Sequence, residues 1–121
     1  MNIMIVFKSF KFEAAHYLPN VPDGHKCKRL HGHSFRVVIH ASGEVDADVG
    51  WVIDFADIKK AFDPILTELD HHYLNEIPGL ENPTSENIAR YLWKRLSSNL
   101  PQLHQIDVHE TCNAGCTYLG E

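Results

Sequence analysis

The sequence predicts an α+β fold whose elements follow the order strand, strand, helix, helix, strand, strand. Two early segments alternate apolar and polar residues with the period of two that strands have, whereas two later segments repeat apolar residues every three or four positions, as helices do. The chain has 121 residues and contains no Gly/Ser-rich linker or internal repeat. We therefore expect a single domain over residues 1–121.

The first two strands carry the clearest pattern. In the segment from about Ile3 to His16, the even-numbered residues from Phe10 onward share one face. After a loop rich in turn formers, the segment from His31 to about Glu44 places its odd-numbered residues on one face. That face carries His31, His33 and an apolar stripe, so we expect polar ligands at the edge of a hydrophobic core.

Two helices are expected next. Asp54 is a suitable N-cap for a first helix that ends near Leu69, and Pro64 should either kink this helix or start its second half. Thr84 or Ser85 should cap a second helix. The buried stripe of the second helix consists of Ile88, Leu92 and Leu96.

The last part of the chain predicts two short strands. Apolar residues alternate over residues 106–110, and a turn at residues 113–115 leads into the final strand. Cys112 and Cys116 flank this turn. They could form half of a metal site, but no second sulfur pair completes it, so we expect a reduced pair in a hairpin.

Composition narrows the function classes. Hydrophobic residues make up 44% of the chain, and no apolar run approaches the ~18 residues that a membrane span needs. The formal net charge of −5 opposes binding to nucleic acid, so we expect a small-molecule ligand. The N-terminus lacks the features of a secretory signal, and three cysteines cannot all pair with one another. We therefore expect a reducing, cytoplasmic location.

Three histidines form the strongest candidate site. His31 and His33 face the same side of one strand, and His16 ends the predicted core face of another. Three neutral imidazoles can fill three corners of a zinc tetrahedron and leave the fourth open, which predicts a catalytic zinc site. A His-x-His pair also occurs in cupin barrels. Val37 and Val38 stand where those barrels carry a glutamate, so this alternative is disfavoured.

Two further motifs are candidates for chemistry. Cys27 is either an inert buried cysteine or a reactive thiol, and Lys28 and Arg29 beside it would favour the thiolate. Asp70 and His71 follow the last apolar residue of the first helix. They form either a plain helix end or an acid–imidazole pair that relays protons.

Glu110 follows two apolar residues on one strand face, which is unusual for a carboxylate. One interpretation is that Glu110 is a solvated strand residue. The other is that it lines a pocket, where its two oxygens could accept paired N–H bonds from the amidine-like edge of a ligand. The remaining histidines are assigned no role, since a lone histidine is more often a hydrogen-bonded residue than a ligand. They are His25, His40, His72, His104 and His109.

Six segments, in order along nearly the whole chain, resemble the signatures of the 6-pyruvoyl-tetrahydropterin synthase family. They are residues 12–16, 27–33, 51–55, 69–71, 82–87 and 110–112. Within that family, the short length, residues 81–84 and the Cys112/Cys116 hairpin resemble the bacterial branch, which acts in queuosine precursor synthesis. The resemblance implies zinc-dependent conversion of 7,8-dihydroneopterin triphosphate to 6-carboxy-5,6,7,8-tetrahydropterin, with release of acetaldehyde and triphosphate.

The resemblance also implies a tunnelling fold, with a four-stranded antiparallel sheet and two helices on one of its faces. Three subunits would close a barrel, two trimers would form a homohexamer, and the sites would lie between subunits. The residues with implied roles are the zinc ligands His16, His31 and His33, the general base Cys27, the proton-transfer pair Asp70 and His71, and the catalytic pterin anchor Glu110.

Alternatives remain open. Relatives divert the same substrate to pyruvoyl pterins, by triphosphate elimination, or to hydroxymethyl pterins. A zinc-dependent hydrolase would use the same ligands without needing Cys27 or Glu110. A zinc-stabilised binding module would need a fourth ligand, which Cys27 could supply. The sequence leaves open which basic residues would bind the triphosphate. The candidates are Lys8, Lys11, Lys26, Lys28 and Arg29.

Overall fold

The computed structural model describes residues 2–111 and 113–121. The described residues form five strands and two α-helices. The strands are β1 (Ile3–His16), β2 (His31–Glu44), β3 (His72–Tyr73), β4 (Leu103–Glu110) and β5 (Ala114–Tyr118), and the helices are α1 (Phe55–Leu69) and α2 (Ser85–Leu96). The predicted bounds of β1 and β2 are confirmed. Cys112, which the sequence predicts to form a reduced hairpin pair with Cys116, lies outside the described residues.

The sheet is mixed, with the strand order β3-β1-β2-β4-β5. The short strand β3 runs parallel to β1 at Ala14 and Ala15, whereas the other neighbours are antiparallel. The expected four-stranded antiparallel sheet is therefore wrong in strand number and in direction. A two-residue strand leaves no periodic pattern in the sequence. It forms because the chain leaving α1 is held beside β1, where the His71 N–H donates to the Glu13 carbonyl oxygen at 2.6 Å.

The register between β1 and β2 brings the predicted metal ligands together. His16 lies opposite His31, and Ala14 lies opposite His33. Directly opposite residues of an antiparallel pair project from the same face of the sheet. All three imidazole rings therefore project from one face at one end of the sheet.

The same face of the sheet forms the hydrophobic core with both helices. The even-numbered residues of β1 from Phe10 and the odd-numbered residues of β2 from Phe35 to Ala41 are buried, as the alternation predicts. The rings of Phe12 and Phe35 stack 4.9 Å apart, and Phe10 packs 4.6 Å from Phe62 of α1. Buried residues of α1 and α2 belong to this one cluster, so the helices cover a single face.

Side-chain caps fix where the helices begin. Asp54 caps α1 as predicted, by accepting a backbone hydrogen bond at 2.9 Å. Helix α1 continues through Pro64, so its second half does not restart there. Thr84 caps α2 by accepting from the Asn87 N–H at 3.1 Å, which leaves the Ser85 hydroxyl free for another partner. Neither described helix is long and apolar enough to cross a membrane.

Candidate active site

Three histidine rings meet at the end of the sheet. The ring centroids of His16, His31 and His33 lie 4.6, 4.8 and 5.2 Å from one another, and their ligand nitrogens all lie within 4.8 Å of one another. Among the described residues, this is the one group of three or more potential ligands that could hold a metal ion. Strand pairing alone thus assembles the predicted ligand set.

A backbone contact leaves the Nε2 atom of His16 available to a metal. The Nδ1 atom donates to the carbonyl oxygen of Pro83 at 2.8 Å. Because a carbonyl can only accept, Nδ1 carries the proton and Nε2 of the neutral ring presents a lone pair. His16 is 1% exposed, and its Nε2 has no hydrogen-bond partner among the described residues. A buried acceptor left in this way is costly unless a ligand occupies it.

The rings of His31 and His33 also have a partner at Nδ1. The Nδ1 atom of His31 donates to the carbonyl oxygen of Arg29 at 2.7 Å. The Nδ1 atom of His33 lies 2.6 Å from the Thr111 hydroxyl oxygen. A hydrogen-bond partner on the distal ring nitrogen is the arrangement that orients metal-ligating histidines.

The local electrostatics favour neutral imidazoles. Burial lowers the pKa of His16 from its ordinary value of 6.5 and outweighs the Pro83 hydrogen bond and the Glu110 carboxylate, which raise it. Burial also lowers the pKa of His33, against the opposing effect of Glu110. Metal ligation requires the deprotonated imidazole nitrogen. Three imidazole nitrogens, with no fourth member in the described ligand group, fit a catalytic zinc site.

Glu110, at the end of β4, lies beside the histidines. Its Oε1 atom is 3.6 Å from Nε2 of His16 and 3.5 Å from Nε2 of His33. Ser85, the first residue of α2, donates a hydrogen bond to Oε2. The side chain of Glu110 is 23% exposed, so a bound molecule could reach the carboxylate without unfolding the sheet.

Asp70 and His71 form a pair beside the end of β1. The Oδ1 atom of Asp70 accepts from the Glu13 N–H at 2.9 Å and lies 3.0 Å from Nδ1 of His71. The Glu13 hydrogen bond, followed by the one from His71, lowers the pKa of Asp70. The ionised carboxylate thus orients an imidazole whose side chain is 77% exposed.

An open cavity of about 670 Å³ lies between His71 and the ends of β1 and β2. His33, His71 and Thr111 all contribute to its wall. Cys27 does not line this cavity. A single chain therefore brings His71 and His33 to one cavity and leaves Cys27 elsewhere. A second cleft, of about 440 Å³, lies against α1 and contains none of the predicted site residues.

Cys27 lies in a short 3-10 turn, Lys26–Lys28, between β1 and β2. Its backbone N–H donates to Nδ1 of His25 at 3.0 Å, so a histidine that the sequence left without a role caps this turn. The ammonium group of Lys28, expected to favour the thiolate, is paired with Asp23 at 2.5 Å. The turn fixes the backbone of Cys27 and leaves the residue partly exposed.

Sequence reasoning missed the residues that support the site. Pro83 contacts His16, which lies 67 positions away in the chain. Thr111 contacts His33, 78 positions away. Ser85 contacts Glu110, 25 positions away. No local spacing rule relates such distant residues. Two signals pointed to these regions, namely the unusual carboxylate at Glu110, directly before Thr111, and the family resemblance of residues 82–87 and 110–112.

Known proteins share both the sequence and the fold. A model of the family described as 6-pyruvoyl tetrahydropterin synthase matches residues 5–121. The 6-carboxy-5,6,7,8-tetrahydropterin synthase of Synechocystis sp. is 43% identical over 120 residues, which cover 94% of this chain and 92% of that protein. The dihydroneopterin monophosphate aldolase of Pyrococcus furiosus is 38% identical over 101 residues, with 84% and 81% covered.

The structural comparison agrees. The 6-pyruvoyl tetrahydropterin synthase of Caenorhabditis elegans superposes with a TM-score of 0.89 at 31% sequence identity, covering 100% of this chain and 98% of that one. The family match, the relatives and the fold all extend over nearly the full sequence. This chain belongs to the 6-pyruvoyl tetrahydropterin synthase family.

Proposed function

We propose that the protein is a zinc-dependent lyase that converts 7,8-dihydroneopterin triphosphate to 6-carboxy-5,6,7,8-tetrahydropterin, with release of acetaldehyde and triphosphate. This reaction is a step in queuosine biosynthesis. The observation that carries the proposal is the cluster of three histidines with every Nδ1 atom occupied by a partner. Family membership and the 43% identical relative named for this synthase support the proposed substrate class and product.

His16, His31 and His33 would hold the zinc ion. Bound there, zinc would polarise the side-chain oxygens of the pterin and lower their pKa. The described ligand group contains no fourth protein donor close enough to join all three nitrogens. An open position of this kind supports a catalytic site over the zinc-stabilised binding module.

Cys27 would act as the general base that removes a carbon-bound proton next to the ring imine. The His25 cap holds its backbone in place. Because Cys27 does not line the cavity that contains His71, we propose that the working site forms between subunits. Cys27 of one chain would then approach His71 of a neighbouring copy.

Asp70 and His71 would transfer protons in later steps. Asp70 holds Nδ1 of His71 at 3.0 Å, which leaves Nε2 to face a substrate. An imidazole oriented in this way can donate or accept a proton at a defined position.

Glu110 would anchor the pterin as well as take part in catalysis. Ser85 holds Oε2, whereas Oε1 is directed toward the metal-binding nitrogens. A carboxylate fixed in this way can accept two N–H bonds from the amino group and adjacent ring nitrogen of a pterin. Such a contact would hold the pterin at the histidine end of the sheet. A plain zinc hydrolase has no need for this anchor.

Assembly into a barrel would complete the proposal. On its outer side, the described part of β1 pairs with β3 only at Ala14 and Ala15, so most of one long edge is open. Ile3, Ile5 and Phe7 on this strand are more than half exposed. Open edges and exposed apolar residues favour association. We propose trimers that pair these edges and a hexamer of two trimers, located in the cytoplasm.

A product assay tests the function. The metal-loaded protein is incubated with 7,8-dihydroneopterin triphosphate, and the products are identified by mass. We expect 6-carboxytetrahydropterin, acetaldehyde and triphosphate. A 6-pyruvoyl product would identify triphosphate elimination without carbon–carbon cleavage, and a hydroxymethyl pterin would identify an aldolase such as the Pyrococcus relative is named for. Either product would overturn the proposed reaction.

A further inference from the structure

We propose that Thr111 is a positioning residue, which fixes the ring of His33 for metal binding by means of a strained backbone. The proposal rests on the proposed function only in requiring that the histidine cluster binds a metal. It assigns a role to the residue directly after Glu110, at the end of β4.

The Thr111 contact differs from those of the other two rings. His16 and His31 donate to backbone carbonyl oxygens, which can only accept and so determine the ring tautomer. His33 has a side-chain hydroxyl as its partner, at 2.6 Å. With the hydroxyl proton turned away, the Thr111 oxygen accepts from Nδ1, and Nε2 becomes the ligand. This partner is therefore the one of the three that substitution can remove.

The backbone of Thr111 is in an unfavourable conformation. Its φ is +40°, in the left-handed region where a β-branched residue is rare because Cβ crowds the backbone. Two hydrogen bonds hold it there. Its N–H donates to the carbonyl oxygen of Ser34 at 2.8 Å, and its own carbonyl accepts from the Asn113 N–H at 3.1 Å.

The hydroxyl contact of Thr111 with His33 and the strained backbone of Thr111 explain each other. Ser34 is the neighbour of His33 in β2, so the backbone bond from Thr111 places its hydroxyl next to the His33 ring. Glycine would adopt this backbone without strain, but it could not supply the hydroxyl. Strain of this kind persists where surrounding contacts enforce it and is typical of functional sites.

Three variants separate the hydroxyl from the strain. Thr111→Val keeps the branched side chain and loses the acceptor. Thr111→Ser keeps the hydroxyl, and Thr111→Gly loses the acceptor but relieves the strain. The measurements are the zinc dissociation constant of the full chain, by competition with a chromophoric chelator, and the thermal unfolding midpoint of the metal-free protein.

We expect Thr111→Val and Thr111→Gly to bind zinc about 10- to 100-fold more weakly, as for the loss of a partner that orients a metal ligand. Thr111→Ser should bind within a few-fold of the unsubstituted protein. The unfolding midpoint of Thr111→Gly should exceed that of Thr111→Val although both variants lose the same metal-orienting contact, so zinc affinity should not follow stability. Thr117→Val is the matched control, since this hydroxyl bonds to Asp107 and zinc affinity should not change.

Unchanged zinc affinity in Thr111→Val and Thr111→Gly would overturn the proposal. It would also be overturned if, in all three variants, zinc affinity fell in proportion to the fall in the unfolding midpoint. These outcomes leave the proposed function intact. If the unsubstituted protein binds no zinc, the proposed function fails as well, so the two failures are distinguishable.

Discussion

The Nδ1 atom of His16, on the first strand, lies 2.8 Å from the carbonyl oxygen of Pro83, in the loop before α2. This contact joins the loop before α2 to the histidine end of the sheet. It determines which nitrogen of a 1% exposed ring is free to bind a cation. The candidate metal site is therefore built from both layers of the fold, although all three histidines lie on strands.

Substitution of Cys27 by alanine should abolish most of the activity without disturbing the metal. We expect turnover to fall by at least the ~10²-fold contributed by a positioned general base, with bound zinc and far-UV circular dichroism unchanged. Cys116→Ala is the matched control, because burial raises the pKa of this thiol and keeps it protonated. Near-normal turnover in Cys27→Ala would remove this residue from the mechanism.

Two adjacent histidines should respond differently to substitution. His71 is oriented by the Asp70 side chain at 3.0 Å, whereas His72 bonds to the Asp70 backbone carbonyl at 2.8 Å. His71→Ala should therefore slow turnover by about 10²-fold, and His72→Ala should change it much less. Equal effects in a steady-state assay would show that the proton-transfer residue is misassigned.

Glu110→Gln should weaken pterin binding and spare the metal. The amide keeps the shape of the side chain but replaces one acceptor oxygen with a donor, which should cost roughly 2–4 kcal/mol, the scale of a lost charge-assisted pair. Pterin affinity and bound zinc are measured on the same sample, with Glu68→Gln on α1 as the control. Unchanged affinity would exclude Glu110 as the anchor, and loss of zinc would instead indicate support of the metal.

A partly buried contact between Asp107 and His40, on the face of the sheet opposite the core, predicts a pH dependence of stability. Burial opposes ionisation of Asp107, but hydrogen bonds from His40, Gln105 and Thr117 prevail and lower its pKa from the ordinary 3.8. A carboxyl with a lowered folded-state pKa stabilises the protein above pH 3.8, and this contribution is lost as pH falls through the folded-state pKa.

Asp107→Asn should therefore lower the free energy of unfolding by about 1–3 kcal/mol at neutral pH. The difference from the unsubstituted protein should shrink as pH falls below 3.8. Denaturant unfolding across this range measures it, with Asp48→Asn as the control. A difference that stays constant at all pH values would show that charge is not the cause.

Much of the fold follows from periodicity in the sequence. Alternation over residues 3–16 and 31–44 fixed the bounds of β1 and β2, and with them the shared face of the three histidines. Strand β3 was missed because its two residues have no pattern of their own and depend on β1 for pairing. Pro64 gave an ambiguous signal, since proline can begin a helix or interrupt one, and packing of α1 decided in favour of continuity.

The clustering of the histidines was predictable where it depends on residue type and strand parity, as for His31 and His33. The candidate site was not predictable where a contact joins distant parts of the chain. His40 shows the same limit on the other face, because its partner Asp107 lies 67 positions away at 2.7 Å. Contacts of this kind become visible only once β2 and β4 are paired.

Bound zinc per chain in the single-histidine variants tests the central claim most directly. We expect about one zinc ion per chain in the unsubstituted protein, since three converging imidazoles form one site. His16→Ala, His31→Ala and His33→Ala should each lose most of it while retaining their secondary structure, and His109→Ala should retain it fully. Full zinc content in all three ligand variants would contradict the account.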